Sequence, residues 1–332
     1  MEHVLIVGTA TWGTTLGLIL AKNAVSVWLL ARTEKEMLEL QKSRENKRFL
    51  PSFIFPPLLQ ITNQPEKATP TAKAIIFAVP SSSMRENVNY LSPWISEKTL
   101  IISASKGLEF PAGKRMSQVI QEILPTATAH RIAVLSGPNL AKEIAADNPS
   151  SAVVASHTQD TCLQAQSLLS TPTFRIYTNK DVLGTELGGS LKNVIAIAAG
   201  ICDGLDYGDN AKAALLTRGL AEIANLGTYM GAKAPTFTGL SGMGDLIATC
   251  SSTLSRNHYL GMQLAKGFPL EFIIQQMDNV AEGVHTTAAT LELAQQYNIE
   301  MPIAEATYAI LNGNLTAAAG VGKLMARLLK SE

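Results

Sequence analysis

The rhythm of hydrophobic and polar positions changes near residue 180. Before it, short apolar runs alternate with longer amphipathic stretches. Val4–Val7, Val25–Leu30, Ala74–Val79, Thr99–Ser103 and Ile132–Leu135 are runs of the kind found in strands buried on both faces. Helical patterns follow the first and the last of these, through Leu16–Ala21 and Leu140–Ala146. All of these strands are expected to be parallel. Ser151–Ser156 and Thr173–Thr178 predict two more strands, with a helix over Gln159–Leu169 between them. After Tyr177 the strand patterns stop. Helices are predicted over Asp181–Asp203, Ala211–Met230, Leu270–Met277, Val284–Tyr297 and Pro302–Leu311. This order predicts an α/β N-terminal domain over residues 1–184 and a second, all-α C-terminal domain over 185–332.

The loops after the strands carry the first chemical signals. Val4–Val7 runs into Gly8-Thr9-Ala10-Thr11-Trp12-Gly13 and then a helix, the context of a dinucleotide fingerprint. Gly8 would make the tight turn and Gly13 would let helix and strand pack. The middle position, usually Gly for close approach to a pyrophosphate, is Ala10. The second strand ends in Ala31-Arg32, and the first acid after it is Glu34. An Arg there suits the extra phosphate of NADP, and a solvated loop Arg is the competing reading. Ala104-Ser105-Lys106-Gly107 and Ser136-Gly137-Pro138-Asn139 lie at other strand ends, the edge that holds the ligand crevice in open α/β sheets. Lys106 is either a solvated charge or a cation aimed into that crevice. These features predict a Rossmann-like NAD(P)-binding domain, and an ordinary strand-to-helix turn at Gly8–Gly13 is the competing reading.

In the C-terminal half, Gly188–Gly200 is a helix apolar almost all round. Leu187, Leu191, Val194, Ile195, Ala198 and Ile201 form a wide stripe, and Gly189, Ala196, Ala199 and Gly200 make a small-residue side. Lys192 and Asn193 are expected in its first turns. An ammonium is costly to bury, so Lys192 either lies at a wet helix end and snorkels or has a chemical purpose. Three polar clusters follow: Gly239–Asp245, Ser255-Arg256-Asn257 and Val280–Gly283. Asp245 could cap the helix Leu246–Cys250. Arg256 offers a fork of five donors suited to a phosphate.

Bulk properties narrow the class. Lys+Arg and Asp+Glu balance at 27 each, which argues against a nucleic-acid partner. Mean hydropathy is +0.14, and the apolar runs are too short and too Gly-interrupted for membrane insertion. Met1 leads directly into a strand pattern, so no signal peptide is expected. Cys162, Cys202 and Cys250 form no CxxC pair and read as reduced thiols of a cytoplasmic protein. No HxxH or Cys/His cluster points to a metal.

Several motifs, in order along nearly the whole chain, resemble bacterial-type NAD(P)-dependent glycerol-3-phosphate dehydrogenases. They are ASKGLE at Ala104–Glu109, SGP at Ser136–Pro138, LGGSLKNVIAIAAG around Lys192, GLSGMGDL around Asp245, SRN at Ser255–Asn257 and VAEGVHT around Glu282. The resemblance implies reversible reduction of dihydroxyacetone phosphate to sn-glycerol 3-phosphate for glycerophospholipid synthesis, by a cytoplasmic homodimer. It implies a nicotinamide cofactor, and Arg32 at the end of the second strand predicts NADP(H) as preferred with NAD(H) possible. Lys192 would be the proton donor and acceptor. Lys106, Gly137, Asn139, Asp245, Ser255, Arg256 and Asn257 would join it at the substrate. Gly8, Ala10, Thr11, Trp12, Gly13, Arg32, Lys106, Ala141, Arg256, Val280 and Glu282 would contact the cofactor. Two positions depart from the family pattern: Ala10 replaces the middle Gly, and Asn139 stands where Thr or Ser is usual. The competing readings are a related two-domain dehydrogenase for another hydroxy or keto acid, and a non-catalytic NADP-binding sensor.

Overall fold

A computed structural model of the chain describes residues 3–124, 130–277 and 281–328. The chain divides into two compact units. The first comprises Met1–Lys106 and Lys114–Glu186, and the second comprises Gly107–Gly113 and Leu187–Glu332.

The first unit is built on an eight-stranded sheet. Its strands are β1 (His3–Val7), β2 (Val27–Leu30), β3 (Leu59–Thr62), β4 (Ala72–Phe77), β5 (Leu100–Ser103), β6 (Ile132–Ser136), β7 (Ser150–Ala155) and β8 (Phe174–Asn179). Their order across the sheet is β8-β7-β6-β5-β4-β1-β2-β3. The continuous apolar runs have a direct cause. Val4 and Ile6 of β1 enter one core with Ala74, Ile76 and Ile102, while Leu5 and Val7 enter another with Ile75, Phe77 and Ile101. A strand covered on both faces needs apolar side chains at odd and even positions alike. Helices α1 (Thr11–Lys22), α2 (Glu34–Ser43) and α3 (Ala141–Ala145) follow β1, β2 and β6.

Two features go beyond the sequence reading, which left the direction of Ser151–Ser156 open and named no strand at Leu59–Thr62. β6 and β7 pair antiparallel, Val134 opposite Ala155 and Ser136 opposite Val153. The connection holds one five-residue helix, α3, which at about 1.5 Å per residue is too short to carry the chain back along a strand rising about 3.3 Å per residue. The edge strand β3 was not expected, because Leu59-Gln60-Ile61-Thr62 is short and carries polar residues at alternate positions.

The second unit is helical. The long helix α4 (Val182–Gly204), whose residues from Leu187 on belong to this unit, is followed by α5 (Gly208–Tyr229), α6 (Asp245–Ser251), α7 (Arg256–Ala265), α8 (Gly283–Gln296) and α9 (Pro302–Leu311). The Asp181 carboxylate accepts the Gly184 N–H at 2.9 Å and so starts α4 well before Gly188. The small residues of α4 have a steric reason. A Cβ on Gly200 would lie 2.0 Å from the His258 carbonyl oxygen, and one on Gly261 would lie 2.0 Å from that of Ile197. The backbones of α4 and α7 therefore touch, and any side chain at either glycine would push them apart.

Glu222 of α5 closes the first turn of α9. Its carboxyl accepts the backbone N–H groups of Ile303 at 2.9 Å and Ala304 at 3.4 Å. Burial pushes this carboxyl up from the usual 4.5 to about 7, with the two N–H donors opposing the shift. A raised folded-state value means that the group favours the folded state below 4.5 and loses that contribution as pH rises toward about 7. Glu222→Gln should flatten this part of the stability profile. Urea midpoints measured from pH 4.5 to 8 check it, and an unchanged slope would remove Glu222 as the cause.

Candidate active site

In the first unit the predicted residues gather at the carboxyl ends of adjacent strands. Gly8, with φ +115°, has no room for a side chain: a Cβ there would lie 2.5 Å from the Ala78 carbonyl oxygen. A Cβ on Gly13 would lie 1.9 Å from the Gly8 carbonyl oxygen, so the turn closes only with glycine at both positions. Ala10 has φ −68° and ψ 179°, a conformation open to any residue, so alanine strains nothing at the middle position. The turn is pinned from below. Asn46 donates to the Thr9 carbonyl at 2.7 Å and to the Thr14 hydroxyl at 2.9 Å, and Thr11 donates to the Phe49 carbonyl. Trp12 meets Phe174 edge-on at 6.5 Å. Ala141 accepts from the Thr15 hydroxyl at 3.3 Å, which ties α3 to α1.

The start of α1 has no side-chain cap and no acid in its first turn. Its leading N–H groups and the positive end of its dipole are therefore available to an anion. This arrangement fits the pyrophosphate of a dinucleotide.

Lys106 reaches along the strand ends. Its ammonium donates to the Gly137 carbonyl at 2.9 Å and to the Asn139 side-chain oxygen at 2.6 Å. Asn139 thus serves as an anchor for Lys106. Asn139→Ala should release that ammonium and lower kcat/KM about tenfold, the scale of one hydrogen bond to a charged group. Wild-type kinetics in this variant would show that the other partners of Lys106 suffice.

Arg32 is exposed at the end of β2, and its guanidinium has no ion-pair partner among the described residues. Glu34 points out from the start of α2 and is exposed. The acid at this strand end is Glu36, which the sequence reading passed over. Its carboxylate accepts the Arg32 backbone N–H at 2.9 Å and the Thr9 hydroxyl at 2.5 Å. The spacing Thr33-x-x-Glu36 was the available signal. Thr33 caps α2 through the Glu36 N–H, and the Glu36 side chain folds back past Thr33 to the Arg32 N–H, so half of a capping box is formed.

In the second unit Lys192 is not in the first turns of its helix. It lies ten residues into α4, only 6% exposed, among neighbours buried on every side. The snorkelling reading is thereby overturned. Its ammonium donates to the Thr249 hydroxyl at 2.5 Å and pairs with the Asp245 carboxylate at 3.0 Å. The Thr249 hydroxyl donates in turn to the same Asp245 oxygen at 3.2 Å. Asp245 is 1% exposed and is the first residue of α6, so it faces Lys192 and is not the helix cap. Thr249 was missed, although its place one turn after Asp245 puts both on one helix face.

Asn257 and Ser255 support this cluster. The Asn257 amide donates to the Asn193 side chain at 2.9 Å, and its oxygen accepts the Gly283 N–H at 3.0 Å. One side chain thus ties α4, α7 and the start of α8 together. Ser255 caps α7 by accepting the His258 N–H at 3.3 Å. Asp203 of α4 takes the His258 ring at 2.6 Å and the Lys212 ammonium at 2.6 Å. Burial works against the Asp203 charge, but the bonds from Lys212 and His258 outweigh it and hold the carboxyl below the usual 3.8. Arg256 opens α7 and is exposed, and its guanidinium makes no hydrogen bond or ion pair with a described residue. Desolvation by the surrounding protein lowers the Arg256 pKa from its ordinary value, and the Glu282 carboxylate opposes that shift. Val280 lies outside the described residues. Burial pushes the Cys250 thiol up to about 12, so the thiol next to Thr249 is no nucleophile.

Similarity to known proteins identifies the family. Residues 3–162 match the family model of the NAD-dependent glycerol-3-phosphate dehydrogenase N-terminus, and residues 181–321 match that of its C-terminus. A glycerol-3-phosphate dehydrogenase [NAD(P)+] of Dehalococcoides mccartyi is 49% identical over 98% of this chain and 91% of its own length. One from Syntrophomonas wolfei is 43% identical over 100% of this chain and 97% of its own. The crystal structure of glycerol-3-phosphate dehydrogenase from Coxiella burnetii aligns with a TM-score of 0.93 at 35% identity, over 98% of this chain and 99% of that one. With both halves matched in order and curated relatives this similar over its full length, the chain belongs to the NAD-dependent glycerol-3-phosphate dehydrogenase family.

Proposed function

We propose that the protein catalyses the reversible reduction of dihydroxyacetone phosphate to sn-glycerol 3-phosphate. The observation that carries this reading is the buried cluster of Lys192, Asp245 and Thr249. A lysine ammonium is held there at the cost of its hydration, in a family whose members are named for this chemistry. The bound nicotinamide cofactor supplies or takes the hydride at the substrate's second carbon. Lys192 gives a proton to the ketone oxygen as the ketone is reduced, and takes it back from the alcohol in the reverse direction. Asp245 and Thr249 hold the lysine's donors in one orientation, which fixes the direction of proton transfer. Arg256, a free fork at the start of a helix, grips the phosphate through paired hydrogen bonds. Ser255 and Asn257 fix the backbone from which Arg256 projects.

In the first unit, Gly8, Ala10, Thr11, Trp12 and Gly13 receive the pyrophosphate and Ala141 borders them. Arg32 draws a ribose phosphate, which places NADP(H) ahead of NAD(H). Lys106, steadied by Gly137 and Asn139, adds positive charge for the phosphorylated reactants. Among the described residues no helix is long and apolar enough to cross a membrane. A cytoplasmic homodimer serving glycerophospholipid synthesis is the setting this reading implies, and sedimentation equilibrium checks the dimer. The function itself is tested by initial rates with dihydroxyacetone phosphate and each reduced cofactor, against unphosphorylated keto acids. Turnover of a keto acid in preference to the phosphorylated ketone would overturn it, as would stoichiometric cofactor binding with no turnover.

A further inference from the structure

The end of β2 carries two opposite charges with different fixtures. The Arg32 guanidinium is exposed and has no ion-pair partner among the described residues. The Glu36 carboxylate is held in place by the Arg32 N–H at 2.9 Å and the Thr9 hydroxyl at 2.5 Å. Thr9 belongs to the glycine turn that begins α1, and β1 lies beside β2 with Val7 opposite Leu30. Glu36 is thus a fixed anion bridging the ends of the first two strands. In dinucleotide-binding sheets this is where the adenosine ribose lies, and an acid there accepts the ribose 2′-hydroxyl. A carboxylate has about four acceptor positions, so two engaged donors leave capacity for a ribose hydroxyl. Glu36 is also partly exposed, so a ligand can reach it.

We propose that Glu36 is a specificity-determining residue for the adenosine end of the cofactor. It accepts the ribose hydroxyl of NAD(H) and opposes the 2′-phosphate of NADP(H), while Arg32 pulls the other way. The protein accordingly binds both cofactors, and the balance between two neighbouring side chains sets the ratio. A phosphate dianion placed beside a held carboxylate meets like-charge repulsion, whereas a neutral hydroxyl gains an acceptor. The inference rests on the reading of the first unit as a nicotinamide dinucleotide site.

The test is direct binding of NADPH and NADH by titration calorimetry, with no substrate and no turnover, for wild type, Glu36→Gln, Thr9→Val and Arg32→Ala. Glu36→Gln keeps an oxygen for one of the two donors and removes the charge. It should raise the ratio of the NADH Kd to the NADPH Kd by about tenfold or more, mainly by tightening NADPH. Arg32→Ala should move the same ratio downward. If Glu36 merely braces the glycine turn, Glu36→Gln and Thr9→Val weaken both cofactors equally and the ratio stays put, which overturns the proposal. An unmoved ratio with unmoved affinities overturns it as well. A wild-type protein that binds neither cofactor sinks both this inference and the functional reading. One that binds both but does not reduce dihydroxyacetone phosphate sinks only the latter, and the ratio remains measurable.

Discussion

Lys192→Ala is expected to lower turnover by roughly 10²–10⁴ in both directions, the usual contribution of a positioned acid–base group. Cofactor affinity should survive, because the dinucleotide turn belongs to the other unit. The same substitution should also destabilise the second unit. It leaves the Asp245 carboxylate, 1% exposed, without its ammonium partner. Breaking a buried pair from one side costs about 3–5 kcal/mol. A double variant separates the two losses. Adding Asp245→Asn removes the stranded charge, so melting temperature should recover while turnover does not. In the wild type, ketone reduction consumes a proton, so its kcat/KM should fall with rising pH and that of alcohol oxidation should rise. Lys192→Ala should change how that pH dependence divides between the two directions, whose ratio is fixed by the proton the reaction consumes. If the stabilised double variant regains turnover with the wild-type pH dependence, the lysine is a structural counterion and the proton comes from elsewhere.

Arg256→Lys should behave much like Arg256→Ala. Hydrogen bonds to a charged partner contribute about 1.5–3 kcal/mol each, and a fork can make two to one phosphate. Losing the fork should lower kcat/KM by roughly 10²–10⁴. A lysine restores a point charge but not the planar pair of donors. The guanidinium makes no hydrogen bond or ion pair with a described residue, so neither variant should lose much stability. Steady-state kinetics beside thermal melts would check this. A lysine variant with near wild-type kcat/KM would reduce Arg256 to a source of positive field.

Much of the scaffold was legible before any coordinates. The alternation of apolar runs and amphipathic stretches up to Tyr177 announced the sheet, because a strand covered on both faces is apolar at every position. The change to helical spacing announced the second, all-α half. Gly8 and Gly13 were readable because their demand is local: the turn closes only where a Cβ is missing. Ala10 needs no special backbone, with φ −68°, so the only thing glycine would change there is the methyl that faces an approaching pyrophosphate.

The partners of the key side chains were not legible. Periodicity tells which side of α4 is buried, but α4 is buried on every side, so it says nothing about what Lys192 faces. Thr249, 57 positions away, becomes its acceptor only because α6 packs where it does. Asn257 was visible as a polar residue beside Arg256. That its amide would be consumed by Asn193 and Gly283 depended on the approach of three separate elements. Glu36 lies between these cases: Thr33-x-x-Glu36 foretells a carboxylate folded back over the helix start, while the Thr9 hydroxyl that completes its setting comes from another strand. The sequence by itself determined which segments become strands and helices, where glycine is obligatory and which charged residues merit chemical attention, since each follows from local sterics and local periodicity. Only the tertiary structure decided which charges meet, because a buried ion pair is a property of two distant segments brought within about 3 Å of each other, and no local pattern encodes that distance.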